Sequence, residues 1–292
     1  MNSIQLINRV SKKQEIEKTP SKGLLSFLYK TPLGKLTLHT LFKRKIISTI
    51  GGWYMNSSLS QKKIAPFVDK YQMDMSEYIV PKGGFKTFND FFYRKIKPAA
   101  RPIQSGIVSP ADGKILAFNS IEESNTFFIK GSEFSAKSFL ANENIASKYE
   151  KGAMCIIRLA PLDYHRFHFP TDGNISYSKK INGYYYSVSP IAMQKNLDFF
   201  CQNIREYSEL TTKKHGNILI AEVGATMVGS IVQTYTPLSD VKKGDEKGYF
   251  AFGGSTLVLF FEKGKIVFDK DLIQNTEKGF ETTIKMGEQI GS

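Results

Sequence analysis

Cysteine is almost absent: 292 residues hold only Cys155 and Cys201, each in apolar surroundings with no partner close in sequence. A disulfide-rich scaffold is excluded, and the two thiols read as buried, inert groups in a reducing compartment. Histidine is scarce too, at four, and no Cys–His spacing of a metal centre occurs, so no metal is expected. Long apolar runs are missing. No stretch approaches the roughly 18 residues that suggest a membrane-crossing helix. Residues 1–18 hold no apolar core of a secretory signal, so none is expected. Acidic residues are the last deficit, with 27 Asp and Glu facing 40 Lys and Arg for a net charge of +13. An apolar content of 41% and a charged content of 23% are those of a globular chain, which argues against disorder.

The basic excess is concentrated. Residues 1–50 carry ten Lys and Arg against Glu15 and Glu17, a local surplus of +8. Leu38, Leu41, Phe42, Ile46, Ile50 and Trp53 recur at helical spacing, with Lys43, Arg44, Lys45 and Ser48 on the other side. Aliphatic and Trp residues opposite a basic face suit a helix lying in the interface of an anionic membrane. A stripe packed on the protein's own core is the competing reading. No nucleic-acid motif accompanies the charge, so nucleic acid is not an expected partner.

Residues 1–22 read as a polar, mobile arm, and residues 23–97 mainly as helix, around the stripe, then Ile64, Phe67, Val68 and Tyr71, then Phe88, Phe91, Phe92 and Ile96. From about residue 103 the texture changes to short runs such as Lys114–Phe118, Thr126–Ile129, Ala153–Leu159, Ile218–Val223, Leu257–Glu262 and Lys265–Phe268, separated by turn signals. Helical interludes are expected near 135–150 and 190–205. The chain is therefore expected to be α+β: a helical, membrane-docking region over 1–100, then an antiparallel β-rich domain over 101–292, barrel-like or sandwich-like.

Four local patterns can carry chemistry. Gly253-Gly254-Ser255-Thr256 precedes a buried strand; two glycines leave the backbone before Ser255 unhindered, although a tight turn needs the same residues. Tyr164-His165-Arg166-Phe167-His168 places two imidazoles three apart. Flanking Pro161 and Pro170 disfavour a helix, and three residues apart on a strand means roughly opposite sides, so the two histidines are expected to do different jobs. Ser109-Pro110-Ala111-Asp112-Gly113 is a β-turn whose Asp112 could also orient an imidazole. Val223–Ile231 is a run of small residues suited to close packing or to substrate room. Nucleophile, base and orienter are all present, and no Gly-x-Ser-x-Gly elbow is.

Seven segments in order carry a resemblance: Thr87-Phe88-Asn89-Asp90-Phe91-Phe92-Tyr93-Arg94, Arg101-Pro102-Ile103, Ser109 to Gly113, Lys130-Gly131, Asp163 to His168, Val223 to Ile231, and Gly253 to Thr256. From about residue 60 to its end the chain resembles the phosphatidylserine decarboxylase family. Many members have Leu where this chain has Gly253. The resemblance implies a self-cleaving proenzyme: Ser255 attacks the Gly254 carbonyl, and cleavage between Gly254 and Ser255 yields a β chain (1–254) and an α chain (255–292) that stay together as a heterodimer. Ser255 would become a pyruvoyl group that forms a Schiff base with phosphatidylserine, releasing carbon dioxide and phosphatidylethanolamine with no metal. His168, oriented by Asp112, is the implied base for Ser255, and His165 the implied proton donor in turnover. The implied location is peripheral, on the cytoplasmic side of the cell membrane, with a homodimer left open. Two alternatives stay open: another pyruvoyl-dependent amino-acid decarboxylase, and a non-enzymatic membrane-surface or phosphocarrier module.

Overall fold

The computed structural model describes residues 5–17, 23, 27, 31, 34, 45–127, 135–186, 201–224 and 230–292. An 11-stranded sheet dominates it, and its centre is built from the most apolar runs of the chain. Ser255–Phe261 lies between Asn217–Gly224 and Met154–Leu159, antiparallel to both, and Gly113–Phe118 follows outside Met154–Leu159. These strands are buried on both faces, which is why they read as apolar runs rather than as alternation. One face, with Leu257, Leu259 and Phe261, packs on Phe167, Phe169, Phe250 and Leu272. The other, with Val258 and Phe260, packs on Phe139, Leu140 and Tyr149 of the 136–149 segment.

The chain is α+β as expected, but the sheet does not close into a barrel: its path runs from Ser239–Val241 at one end to Gln14–Ile16 at the other. Alternation predicts pairing and burial, whereas closure depends on whether two edges meet, which no local pattern encodes. A separate three-stranded sheet, Ile231–Gln233, Glu246–Phe250 and Arg166–His168, carries the histidine strand. A β-bulge between Glu246 and Gly248 turns Lys247 inward, where Nζ lies 2.7 Å from Glu222 of the large sheet and 2.9 Å from Gln233. That fully buried ion pair ties the two sheets together.

Several sequence expectations need correction. Residues 5–17 are no mobile arm: Gln5–Ile7 and Gln14–Ile16 form a hairpin whose first strand pairs in parallel with Glu281–Ile284. Arg9 binds Asp269 at 2.7 Å and Asp271 at 3.1 Å, and Glu17 accepts from Arg158 at 3.1 Å. The region before residue 100 is not helical throughout. Its described helices include Lys45–Met55, the 3-10 helix Ser58–Lys63, Ile64–Tyr71 and Phe88–Phe92, with the strands Tyr78–Ile79 and Lys95–Ile96 among them. Residues 35–44, with most of the basic stripe, lie outside the described residues, as do residues 190–200 of the interlude expected near 190–205. The strand expected at Thr126 is instead the end of the helix Ile121–Phe127, whose first turn carries Glu122 and Glu123. Lys265–Phe268 forms no full strand: Val267 exchanges two backbone bonds with Ser292, and Phe268 makes a single antiparallel bridge to Gly291.

Phe88–Phe92 is short but firmly specified. Thr87 caps it, accepting from Asp90 N–H at 3.1 Å while Asp90 Oδ2 accepts from Thr87 N–H at 3.1 Å. Phe91 and Phe92 are fully buried, each worth roughly 1.5–3 kcal/mol in removed apolar surface. Together with Phe85, Phe88, Met55, Phe67 and Phe252 they form a third cluster, between the helices and the sheets.

Candidate active site

The chain leaves the three-stranded sheet at Phe250 and enters the large sheet at Ser255. Residues 251–254 make the crossing, and Gly253 takes a φ of +145°, a conformation that side-chain-bearing residues avoid. Phe252 anchors the near end, its ring meeting Phe88 and Phe92 at centroid distances of 5.4 and 5.1 Å. Ser255 opens the central strand opposite Gly224 and Leu159 and is fully buried.

Ser255 Oγ lies 3.3 Å from His165 Nδ1. The other ring nitrogen, Nε2, is 3.0 Å from the Ala160 carbonyl, which can only accept. Nε2 therefore holds the ring proton, Nδ1 is bare, and the Ser255 hydroxyl is the donor. Phe92 stacks on the imidazole at 3.9 Å with 24° between the planes. Burial pushes the His165 pKa down to about 3 against the opposing charge of Asp163. The imidazole is thus neutral near pH 7, as an acceptor must be. Asp163 resists the burial that would raise its own pKa, because Lys114 pairs with it at 2.7 Å and the Ala160 amide at 2.6 Å, and its pKa ends below the ordinary value.

His168 has other company. Its Nδ1 donates to the Gly244 carbonyl at 2.9 Å, leaving Nε2 to accept from the Tyr164 hydroxyl at 3.0 Å. Burial lowers its pKa, opposed chiefly by the Gly244 bond. Asp112 accepts two bonds from Arg101, at 3.0 and 2.6 Å, and one from the Met286 amide at 2.8 Å. The two residues are neighbours through the backbone, since His168 N–H donates to Pro110 O at 2.8 Å. Arg101, Tyr164 and His168 line a cavity of about 320 Å3 with Lys95, Glu246 and Met286, and neither Ser255 nor His165 is part of its wall.

Of the expected site residues, the structure thus brings Ser255 and His165 into contact, sets His168 in the cavity wall with Arg101 and Tyr164, and holds Asp112 behind Arg101. Among the described residues no bond joins Ser255 to His168 or His168 to Asp112. The different surroundings of the two imidazoles agree with the spacing argument. Arg101 and Tyr164 lie inside the motifs, but a buried cation beside Asp112 is invisible in sequence until both are placed. Residues 225–229 and Lys130-Gly131 lie outside the described residues.

The model of the family described as phosphatidylserine decarboxylase matches residues 88–292. Three relatives, each named phosphatidylserine decarboxylase proenzyme, are similar over nearly the whole chain. That of Fusobacterium nucleatum is 53% identical, covering 99% of this chain and 97% of its own length. Those of Clostridium novyi and Clostridium botulinum are 47% and 45% identical, each covering 99% of both chains.

Proposed function

The chain belongs to the phosphatidylserine decarboxylase family, and we propose that it decarboxylates phosphatidylserine to phosphatidylethanolamine after cutting its own backbone between Gly254 and Ser255. The observation that carries the cut is a fully buried serine, preceded by two glycines, whose hydroxyl faces a bare imidazole nitrogen at 3.3 Å. Attack of Oγ on the Gly254 carbonyl carbon moves the acyl group from nitrogen to oxygen. Gly254 has no side chain to obstruct that approach, and His165 Nδ1 is placed to take the hydroxyl proton. Loss of a Cα proton then breaks the Cβ–O ester bond, frees the Gly254 carboxylate and leaves a dehydroalanine. Water replaces its nitrogen, ammonia departs, and residue 255 is a pyruvoyl group. That group supplies an electron-withdrawing carbonyl for decarboxylation, which no ordinary side chain does. The site fits it: the Phe92 stack and the flanking strands keep residue 255 away from bulk water.

A second reading keeps His168 as the base with Asp112 behind it. What favours it is that both are buried, that His168 lines the cavity together with Arg101 and Met286, which hold Asp112, and that His168 Nε2 accepts from the Tyr164 hydroxyl rather than from a charged partner. It requires His168 to leave Tyr164 and approach Ser255. In either reading the remaining imidazole is the proton donor of turnover.

A position at an anionic membrane surface is part of this proposal, and the exposed apolar residues in and after the helix Lys45–Met55 support it. Trp53 is 80% exposed, Ile50 59% and Leu59 64%, beside exposed Lys62 and Lys63. These apolar residues are not spent on the protein's own core, which favours lipid contact. No described helix is long and apolar enough to cross a membrane.

Intact-protein mass spectrometry tests the cut. The purified protein should give residues 1–254 and 255–292 as separate masses, the smaller one ammonia lighter than its encoded peptide. Ser255→Ala should give one full-length chain without activity. An active preparation that remains a single chain would overturn the proposal.

A further inference from the structure

The scissile segment is held at one end by the Ser255–Phe261 strand and at the other by a side chain that no step above uses. Asn89 is 1% exposed. Its Oδ1 accepts from Phe252 N–H at 2.7 Å, and its Nδ2 donates to Asn56 Oδ1 at 2.7 Å. The capped helix presents Phe88, Asn89 and Phe92 on one side, as spacings of three and four require. Phe88 and Phe92 meet the Phe252 ring edge-on, and Phe92 also stacks on His165. One helix face therefore grips both the chain just before the cut and the imidazole that touches Ser255.

Only Gly253 and Gly254 separate Phe252 from Ser255. Two glycines are the least restrained links a chain has, and Gly253 already sits at a φ that few other residues adopt. Left to itself such a pair would sample many orientations of the Gly254 carbonyl, and each unproductive one lowers the rate of attack. Fixing the Phe252 amide removes much of that freedom. We infer that Asn89 is a positioning residue for self-cleavage: by holding the Phe252 amide it orients the Gly254 carbonyl carbon against Ser255 Oγ. The inference rests on the cut proposed above. Asn89 itself touches neither reacting atom.

The test follows the appearance of the 255–292 fragment from full-length precursor made by cell-free translation. Asn89→Asp keeps an acceptor for Phe252 N–H, and Asn56 can turn its amide end for end to donate to the second oxygen. Asn89→Leu has similar size and no acceptor. Asn89→Asp should cut within about threefold of the wild type, and Asn89→Leu should be about tenfold slower or worse. Melting temperatures of both, measured with Ser255→Ala to keep the chain intact, separate positioning from stability. Cutting rates that simply follow the melting temperatures overturn the inference, as does wild-type cutting by Asn89→Leu. Should Asn89→Leu not fold, Asn89→Ser replaces it; its hydroxyl falls short of Phe252, so it too must cut slowly. If the wild type yields no fragment, the proposed function fails and the inference with it. Normal cutting by both the wild type and Asn89→Leu sinks the inference alone.

Discussion

Acidification should weaken the fold through His165, by an amount the structure lets one work out. The imidazole is wholly buried, and its pKa is pushed down to about 3 from the ordinary 6.5, first by that burial; Arg94 and Lys114 add to the push, while Asp163 and the Ala160 bond oppose it. In the unfolded chain the same group titrates near its ordinary value. Between the two values the unfolded state binds a proton that the folded state refuses, so stability rises with pH across this window and is lost on acidification. Above about pH 6.5 the group contributes no slope, and below about 3 the loss is complete. One unit is worth about 1.4 kcal/mol, so moving from pH 7 to pH 5 should cost about 2 kcal/mol from this residue alone. The assay is urea unfolding of the uncut Ser255→Ala chain at the two pH values, with and without His165→Asn. The asparagine keeps a donor for the Ala160 carbonyl but does not titrate. Carboxylates and His168 contribute to both proteins and cancel in the comparison. Equal losses in the two, to within about 0.5 kcal/mol, would refute the reasoning, because His165 would then not be held neutral by burial.

The two histidines can be separated by variants. If His165 takes the Ser255 proton, His165→Ala accumulates uncut chain and His168→Ala matures, as seen by gel and mass spectrometry. The opposite result gives the base role to His168, with Asp112 behind it. Membrane attachment is tested by flotation with anionic liposomes at low and high salt. Each basic residue near the surface is worth about 1 kcal/mol, so Lys62→Gln with Lys63→Gln should lower the salt-sensitive part of binding. Ile50→Glu with Trp53→Glu should remove most of the salt-resistant part, and both double variants should still cut themselves. Equal binding to neutral and anionic vesicles would refute the electrostatic half, and unchanged flotation of the Glu variant the apolar half.

What the sequence made legible depended on how local its cause was. Leu257–Phe261 reads as a buried strand because both of its faces are covered, and that leaves an uninterrupted apolar run. His165 and His168 read as differently employed because a spacing of three on a strand forces different sides. The partner of each imidazole was not legible. Asp112 was expected behind His168, whereas in the structure it accepts two bonds from Arg101, and the Met286 amide, contributed by a residue 174 positions away, fixes the carboxylate in that orientation. Asn89 lies inside the Thr87–Arg94 motif, yet its contact exists only once Phe252, 163 positions later, lies against it.

The basic N-terminus makes the same point about charge. Counted along the chain, residues 1–50 carry a surplus of +8 that a membrane could attract. In the structure part of that surplus is paired within the protein. Arg9 is committed to Asp269 and Asp271, and Lys12 to Asp271. Glu17, counted against the surplus, is spent on Arg158 and Lys114 from outside the segment. Asp269 and Asp271 lie beyond the proposed cut, so the Arg9 and Lys12 contacts would join the two chains of the mature protein rather than the protein to a lipid. Surface attraction must then come from cations that stay exposed. Within residues 49–71 the exposed cations are Lys62, Lys63 and Lys70, which a count over residues 1–50 leaves out altogether.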